Sequence, residues 1–263
     1  MKIEYYDDEF PYIIINDLFG EKELELVWEE LNFLCYKHKS AINPNDHNSL
    51  NIRDSGLVER WECFLNYIYT SPERFSNIPK AYNDTFVNHG KDLLRVIKEH
   101  GHWMFQETKY YDISTLLNYY EGGDFYSPHI DMGHTTMLHW LYKEPKSFNG
   151  GELVFPKYKK MIPLESNKSI IFPACIAHAV IPVEMEEEDL NKKMGRWCIS
   201  NFISTNKKSD EVERKVSENN KRVETVSNRT TEETRLYNSN WAKKHVNNNE
   251  LVSNEIKKVV WIP

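Results

Sequence analysis

The sequence predicts an α+β fold in which helices come first along the chain and a β-sandwich of the jelly-roll type follows. Two observations predict this fold. Apolar residues recur at helical spacing in several segments before residue 107, and short strand-like runs separated by Gly, Pro and Asn follow from residue 108 onward. Short strands punctuated by turn residues are typical of two sheets packed face to face. We therefore expect the N-terminal helices to pack on one sheet of a jelly-roll core.

The N-terminal part, residues 1–107, is predicted to be mainly helical. A short β-branched run at residues 10–16 indicates a buried strand, and Asp17 is a candidate cap for the helix after it. Helices are predicted where apolar residues recur every three to four positions, at 21–34, 57–69 and 82–100. The polar segment 39–56 contains turn residues and is predicted to be a loop, with a possible role as a lid over a site.

The jelly-roll core is predicted over residues 108–204. Its strands are predicted at 114–120, 125–130, 135–142, 151–155, 169–172, 178–183 and 196–204. Residues 205–263 are rich in Asn, Glu, Lys and Arg and poor in large apolar residues. We expect them to form a polar and helical C-terminal tail outside a single domain that spans residues 1–204.

Composition and charge exclude several classes of protein. The chain has 263 residues, 40% of them hydrophobic, and a formal net charge of −7, which argues against a surface that binds nucleic acid. It contains no apolar run long enough to span a bilayer, and its acidic N-terminus does not resemble a signal peptide. The four cysteines, which include Cys175 and Cys198, form no C-x-x-C pair, which favours free, buried thiols over a zinc site. We expect a cytoplasmic protein.

Candidate metal ligands lie on two of the predicted strands. His129 and Asp131 are two residues apart, so their side chains project from the same side of an extended segment. His178 opens a later strand, where it could equally be a core histidine bonded to backbone. Two imidazoles and one carboxylate suit Fe(II) and form the facial triad of non-haem iron oxygenases, which leaves coordination positions open.

A candidate anion clamp begins the last predicted strand. Arg196 stands at the start of an apolar run, and a charge that is buried there needs a partner. The partner could be an acidic neighbour or the carboxylate of a substrate, which a guanidinium binds in bidentate fashion. An acidic insert lengthens the spacing between His178 and Arg196, which keeps Lys192 and Lys193 open as alternative clamps.

Motifs in a fixed order resemble the Fe(II)/2-oxoglutarate-dependent dioxygenases, specifically the prolyl 4-hydroxylase-like branch. They run from Tyr120 to Asp131, through the Gly150-Gly151-Glu-Leu turn and His178-Ala-Val-Ile-Pro-Val, to Arg196. The resemblance covers residues 10–204. The arginine at the last motif looks more like the hypoxia-sensing prolyl hydroxylases than the collagen type, which uses lysine.

The resemblance implies a double-stranded β-helix of cupin-like form and a defined set of cofactors. Fe(II) is expected to be bound by His129, Asp131 and His178, and the far carboxylate of the co-substrate 2-oxoglutarate by Arg196. Further pocket residues are expected to be Tyr120, Tyr126 and Trp140. Dioxygen is the second co-substrate, and ascorbate is a possible further cofactor.

The resemblance also implies a reaction and a kind of substrate. We expect hydroxylation of a C–H bond with release of succinate and CO₂, and a prolyl residue of a peptide or protein as the substrate. Alternatives are the same chemistry on a free amino acid, another side chain or a nucleobase. A catalytically silent jelly-roll binding module and a cupin-type metal enzyme without 2-oxoglutarate are also open. His134 and His139 follow Asp131 closely and are candidate pocket residues.

Overall fold

A computed structural model describes residues 1–34, 50–52, 58–65, 76–106, 112–131 and 133–204. The predicted C-terminal tail, residues 205–263, and most of the predicted loop at 39–56 lie outside these ranges. The helices are α1 (Glu21–Phe33), α2 (Asn77–His100) and α3 (Trp103–Gln106). The strands before the predicted core are β1 (Lys2–Tyr6), β2 (Tyr12–Asn16), β3 (Leu50–Ile52) and β4 (Val58–Phe64). The core strands are β5 (Asp112–Tyr120), β6 (Tyr126–His129), β7 (Thr135–Leu141), β8 (Phe148–Gly150), β9 (Leu153–Phe155), β10 (Lys160–Ile162), β11 (Lys168–Pro173), β12 (His178–Val180), β13 (Val183–Met185) and β14 (Arg196–Ser204).

The strands form a large sheet, a small sheet and a two-stranded ribbon. The large sheet has the order β1-β2-β11-β7-β14-β5-β4-β3, and the small sheet the order β10-β9-β12-β6. The ribbon pairs β8 with β13. Neighbouring strands are antiparallel throughout these pairings. This arrangement confirms the predicted α+β fold with a jelly-roll core.

The large sheet separates two hydrophobic clusters. One face of β14 presents Trp197 and Ile199 to a cluster that includes Val27 of α1 and Ile97 of α2. The other face presents Cys198 to a cluster shared with the small sheet. Because side chains alternate along each strand, one face of the large sheet is covered by helices and the other face is directed at the small sheet. The space between the two sheets is called the chamber.

The N-terminus of α2 is held by polar groups of both helices. The Ser76 side chain caps the helix by accepting a hydrogen bond from the Ile78 amide at 3.2 Å. Glu30 of α1 accepts from the same amide at 2.9 Å and from the Ser76 hydroxyl at 2.8 Å. The helix ends at Gly101, whose φ of +69° suits glycine. The helix predicted at 82–100 is thus confirmed and begins earlier.

The helix predicted at 57–69 is wrong. Residues 58–64 form strand β4, which pairs with β5 in the large sheet, and residues 66–69 lie outside the described ranges. Arg60 and Glu62 lie two residues apart and share one side of this strand. That side is polar, whereas the inward side of a half-buried strand is typically apolar. The predicted cap is also wrong, because α1 follows Gly20 without a side-chain cap.

Strands also extend the sheet beyond the predicted core. Within the described ranges, β1, β2, β3 and β4 all belong to the large sheet, so the segment 1–107 is not only helical. The short strands β1, β3, β8 and β10 are absent from the prediction, and the strand predicted at 178–183 is divided between β12 and the start of β13. Three residues of the predicted loop, Leu50, Asn51 and Ile52, pair with β4.

His139 lies on the helix-covered face of the large sheet, so it does not line the chamber between the sheets. Its ring contacts Phe19 at 4.5 Å and Tyr82 at 6.1 Å between centroids. Complete burial lowers the pKa of His139 from 6.5 to about 3. The imidazole is therefore neutral in the folded protein at neutral pH.

Replacing His139 with leucine is expected to reduce the loss of stability in acid. Below pH 6.5, His139 binds a proton in the unfolded chain but stays neutral in the folded protein. The free energy of unfolding therefore falls as the pH decreases toward 3. Between pH 7 and pH 5 the wild-type chain should lose about 2 kcal/mol more than His139→Leu. Urea unfolding at both pH values measures this difference. His89→Gln, on the exposed side of α2, is the control, and an equal loss in wild type and His139→Leu would contradict the assignment.

Candidate metal centre

The small sheet brings the predicted metal ligands together. His129 ends β6 and His178 begins β12, and the two residues are direct partners in the antiparallel pairing of these strands. Asp131 follows β6, and its amide donates to the Ala174 carbonyl at 3.0 Å. One ligand atom from each of the three side chains lies within 4.8 Å of the other two.

The hydrogen bonds of both histidines leave the same ring nitrogen free. Nδ1 of His129 donates to the Ser127 carbonyl at 2.8 Å, and Nδ1 of His178 donates to the Ile176 carbonyl at 3.0 Å. Because a carbonyl oxygen can only accept, the proton of each neutral ring is on Nδ1. Each Nε2 therefore offers its lone pair to the centre of the cluster.

The carboxylate of Asp131 faces both lone pairs. Its oxygens lie 3.5 Å from Nε2 of His129 and 3.4 Å from Nε2 of His178. The Thr136 hydroxyl donates to Oδ2 at 2.6 Å. Burial raises the pKa of the Asp131 carboxyl, and the hydrogen bond from Thr136 lowers it. Burial lowers the pKa of His178 to about 4, so that ring is neutral at pH 7.

These donor atoms fit a divalent cation. With both protons on Nδ1, the Nε2 lone pairs of the two histidines converge on the Asp131 carboxylate, which is unfavourable unless a cation lies among them. Two histidines and one carboxylate match the preference of Fe(II) in sites with open positions. The predicted triad is thus brought together by the fold, and its assignment as the iron site remains a proposal.

Arg196 lies fully buried at the start of β14, on the face that encloses the chamber. Its side chain is 0% exposed, and none of its three guanidinium nitrogens has a hydrogen-bond partner among the described residues. A Cβ on Gly151 would lie 3.0 Å from Cδ of Arg196, so the glycine turn makes room for this side chain. A buried guanidinium without a partner is costly, which indicates that an anion completes its surroundings.

Aromatic residues surround this guanidinium. Its Cζ lies 4.6 Å from the centre of the Tyr120 ring and 6.0 Å from that of Trp140. The Trp140 indole nitrogen is buried and has no partner among the described side chains and backbone. Burial raises the pKa of the nearby Cys198 thiol, and the charges of Arg196 and Asp131 both act on that thiol. The predicted clamp and the metal cluster therefore face one chamber.

The other candidate cations and histidines lie elsewhere. The Lys193 ammonium donates to the carbonyls of Asn32 and Leu34 at the end of α1, 2.7 Å from each. Lys192 is exposed. His134, predicted as a possible pocket residue, places its Nε2 2.8 Å from the Met104 carbonyl and so is held away from the cluster.

Arg60, which the sequence analysis did not select, is a second fully buried arginine in the chamber. Its Nε donates to the Asn118 side chain at 2.9 Å and its Nη2 to Glu62 at 2.6 Å. Its Cζ lies 3.3 Å from the centre of the Tyr126 ring, which itself stacks on His129. Once β4 is recognised as a strand, a cation at an inward position is the signal that could have identified it.

Comparison with known families gives one match. Residues 115–204 match the family model described as the 2OG-Fe(II) oxygenase superfamily. The matched region holds the ligand cluster and Arg196, and the superfamily's description implies Fe(II), 2-oxoglutarate and dioxygen as cofactor and co-substrates.

Solved structures similar to this chain include a viral collagen prolyl hydroxylase from Paramecium Bursaria Chlorella virus-1 in complex with 2OG. The two chains are 16% identical with a TM-score of 0.45, and the match covers 76% of this chain and 98% of that one. A Pseudomonas putida prolyl-4-hydroxylase has 12% identity and a TM-score of 0.44, with 76% and 95% covered. An oxidoreductase of the 2OG-Fe(II) oxygenase family from Burkholderia pseudomallei has 13% identity and a TM-score of 0.45, with 76% and 87% covered.

A comparison with curated proteins gives no match. Among the helices in the described part of the chain, none has the length and apolar composition that crossing a membrane requires.

Proposed function

We propose that this protein is an Fe(II)- and 2-oxoglutarate-dependent dioxygenase that hydroxylates a C–H bond and releases succinate and CO₂. The observation that carries the proposal is the convergence of His129, Asp131 and His178 in the chamber that also encloses Arg196, which has no partner among the described residues. A metal site alone would not require this buried cation. A silent binding module would not require either feature.

Charge balance supports a dianionic co-substrate. Arg60 has Glu62 as its partner, whereas Arg196 has none among the described residues. A divalent cation and Arg196 together exceed the charge of Asp131 by two. A 2-oxo dicarboxylate supplies the two missing negative charges, one near the metal and one at the guanidinium.

The residues of the chamber then have distinct roles. His129, Asp131 and His178 would hold the iron, which when bound supplies the redox chemistry that activates dioxygen. Arg196 would orient the co-substrate through its far carboxylate. Phe172, whose ring lies 4.9 Å from that of His178, and its buried apolar neighbours would exclude water from the reacting groups.

Trp140 is proposed as a second donor to the far carboxylate. Its buried indole N–H has no partner in the part of the chain that the structure describes, and its ring lies 6.0 Å from the Arg196 guanidinium. Trp140→Phe removes this donor and keeps most of the aromatic surface, so we expect the KM for 2-oxoglutarate to rise about 10-fold with little change in kcat. Steady-state succinate formation at varied 2-oxoglutarate measures both constants. An unchanged KM would remove Trp140 from the co-substrate site.

A prolyl residue of a peptide or protein is the proposed substrate, on the strength of the motif order from Tyr120 to Arg196. The test is a panel of proline-containing peptides and their Pro→Ala counterparts, incubated with enzyme, Fe(II), 2-oxoglutarate and ascorbate. We expect succinate formation and the gain of one oxygen atom only in proline-containing peptides. Equal stimulation by the alanine peptides, by free amino acids or by nucleobases would contradict the prolyl assignment and leave the dioxygenase chemistry intact.

A further inference from the structure

A fully buried arginine next to the metal cluster is held in one orientation by two acceptors. Arg60 is 0% exposed, and its Nε donates to the Asn118 side-chain oxygen at 2.9 Å. Its Nη2 donates to Glu62 at 2.6 Å, and the Glu62 side chain is 25% exposed. Asn118 in turn donates to the Ser200 hydroxyl at 3.1 Å. These bonds fix the plane and the position of the guanidinium on the chamber side of the large sheet.

This guanidinium is the first layer of a stack that ends on a metal-cluster histidine. The Cζ of Arg60 lies 3.3 Å from the centre of the Tyr126 ring. The Tyr126 and His129 ring centres are 3.6 Å apart, with 24° between their planes. Two groups this close to one aromatic ring cannot share a face, so the Tyr126 ring lies between the guanidinium and the imidazole.

We propose that Arg60 is a positioning residue that orients the metal ligand His129 through the ring of Tyr126. The inference rests on the proposed function, since it takes His129 as a ligand of the iron. The hydrogen bond from Nδ1 to the Ser127 carbonyl fixes the rotation of the imidazole within its plane. That bond leaves the tilt of the ring free, and the stack on Tyr126 removes this freedom. Groups that orient a metal ligand in this way contribute to metal affinity without touching the metal.

The competing explanation is a structural ion pair between Arg60 and Glu62. Such a pair, together with the hydrogen bond from Arg60 to Asn118 on β5, would stabilise the packing of β4 and would affect the metal only through the overall stability of the fold. The two explanations differ in the role of Tyr126. If Arg60 acts through the Tyr126 ring, its effect on metal binding must disappear when that ring is removed.

A double-mutant cycle on metal affinity tests this dependence. The variants are Arg60→Met, Tyr126→Leu and the two combined, and the probe is Co(II), titrated by its visible absorption in the absence of 2-oxoglutarate. We expect each single variant to bind Co(II) about 10-fold more weakly, and the double variant to bind no more weakly than Tyr126→Leu alone. The ligand-field bands of bound Co(II) should shift in both single variants, because the direction of one ligand changes.

Conservative variants separate positioning from loss of structure. Tyr126→Phe keeps the ring and should retain wild-type Co(II) affinity, and Arg60→Lys keeps the cation without the planar fork and should recover only part of the affinity lost in Arg60→Met. Arg95→Met, on the exposed side of α2, is the matched arginine control. Affinity losses that add in the double variant, or an Arg60→Met protein with unchanged affinity and spectrum, would overturn the inference. His129→Ala serves as the reference, because a protein that keeps Co(II) binding without this histidine would overturn the proposed metal site itself.

Discussion

His178→Ala is expected to abolish metal binding and 2-oxoglutarate turnover while leaving a folded protein. His178 supplies one of the convergent lone pairs, and its ring is neutral at pH 7 because burial lowers its pKa to about 4. Losing one of the three ligands should weaken Fe(II) binding by more than about 100-fold. This loss is larger than the one expected when a group that only orients a ligand is removed. Asp131→Asn should act similarly, since the amide retains a partner for the Thr136 hydroxyl and loses the negative charge.

Metal-dependent stabilisation measures this effect without requiring turnover. A metal that binds only the folded state raises the melting temperature in proportion to the logarithm of its concentration over Kd. The wild-type chain should show this rise with Fe(II) under nitrogen, and His178→Ala and Asp131→Asn should not. His134→Ala is the matched control, because that histidine is close in sequence and its Nε2 lies by the Met104 carbonyl. Full metal-dependent stabilisation in the two ligand variants would refute the ligand assignment.

Arg196→Met is expected to make the ligand-free protein more stable and the enzyme far less able to use 2-oxoglutarate. The guanidinium is 0% exposed and has no hydrogen-bond partner among the described residues. A buried unpaired charge destabilises the fold, and a methionine of similar length removes this penalty. Functional sites commonly retain groups that destabilise the empty protein.

The two halves of this prediction are measured separately. Without 2-oxoglutarate, Arg196→Met should melt at a higher temperature than wild type. In turnover, its KM for 2-oxoglutarate should rise roughly 100-fold, equivalent to about 3 kcal/mol, which is typical of removing one partner of a buried charge pair. Arg196→Lys keeps a cation and should lie between the two. A variant with unchanged KM would place the clamp elsewhere, although Lys193 is bound to the end of α1.

The convergence of the three proposed ligands and the burial of Arg196 could be anticipated because each leaves a local signal in the sequence. His129 and Asp131 are spaced for one side of an extended segment, and the structure ends β6 at His129. Arg196 stands at the head of an apolar strand, where a charge has no structural purpose of its own. The pairing of His129 with His178 depends on the register of β6 and β12, which no local pattern encodes.

The missed and mistaken elements have physical causes. Arg60 and Glu62 of strand β4 face the chamber. Polar residues therefore stand at the positions where a half-buried strand usually has apolar ones, and the strand was not recognised. His139 is close in sequence to Asp131, but successive side chains of a strand point to opposite faces of the sheet, and His139 stands on the helix-covered face. It therefore packs against Phe19 rather than in the chamber. Cys175, predicted to be buried, is exposed, while Cys198 is buried as predicted.

The most direct test of the account is the anaerobic absorption spectrum of the wild-type protein with Fe(II), before and after addition of 2-oxoglutarate. If His129, Asp131 and His178 hold Fe(II) and Arg196 holds the far carboxylate, the keto acid chelates the metal and a visible metal-to-ligand charge-transfer band appears. The band should be lost in Asp131→Asn and should need much more 2-oxoglutarate in Arg196→Met. Stoichiometric binding of Fe(II) with no new band at saturating 2-oxoglutarate would contradict the account.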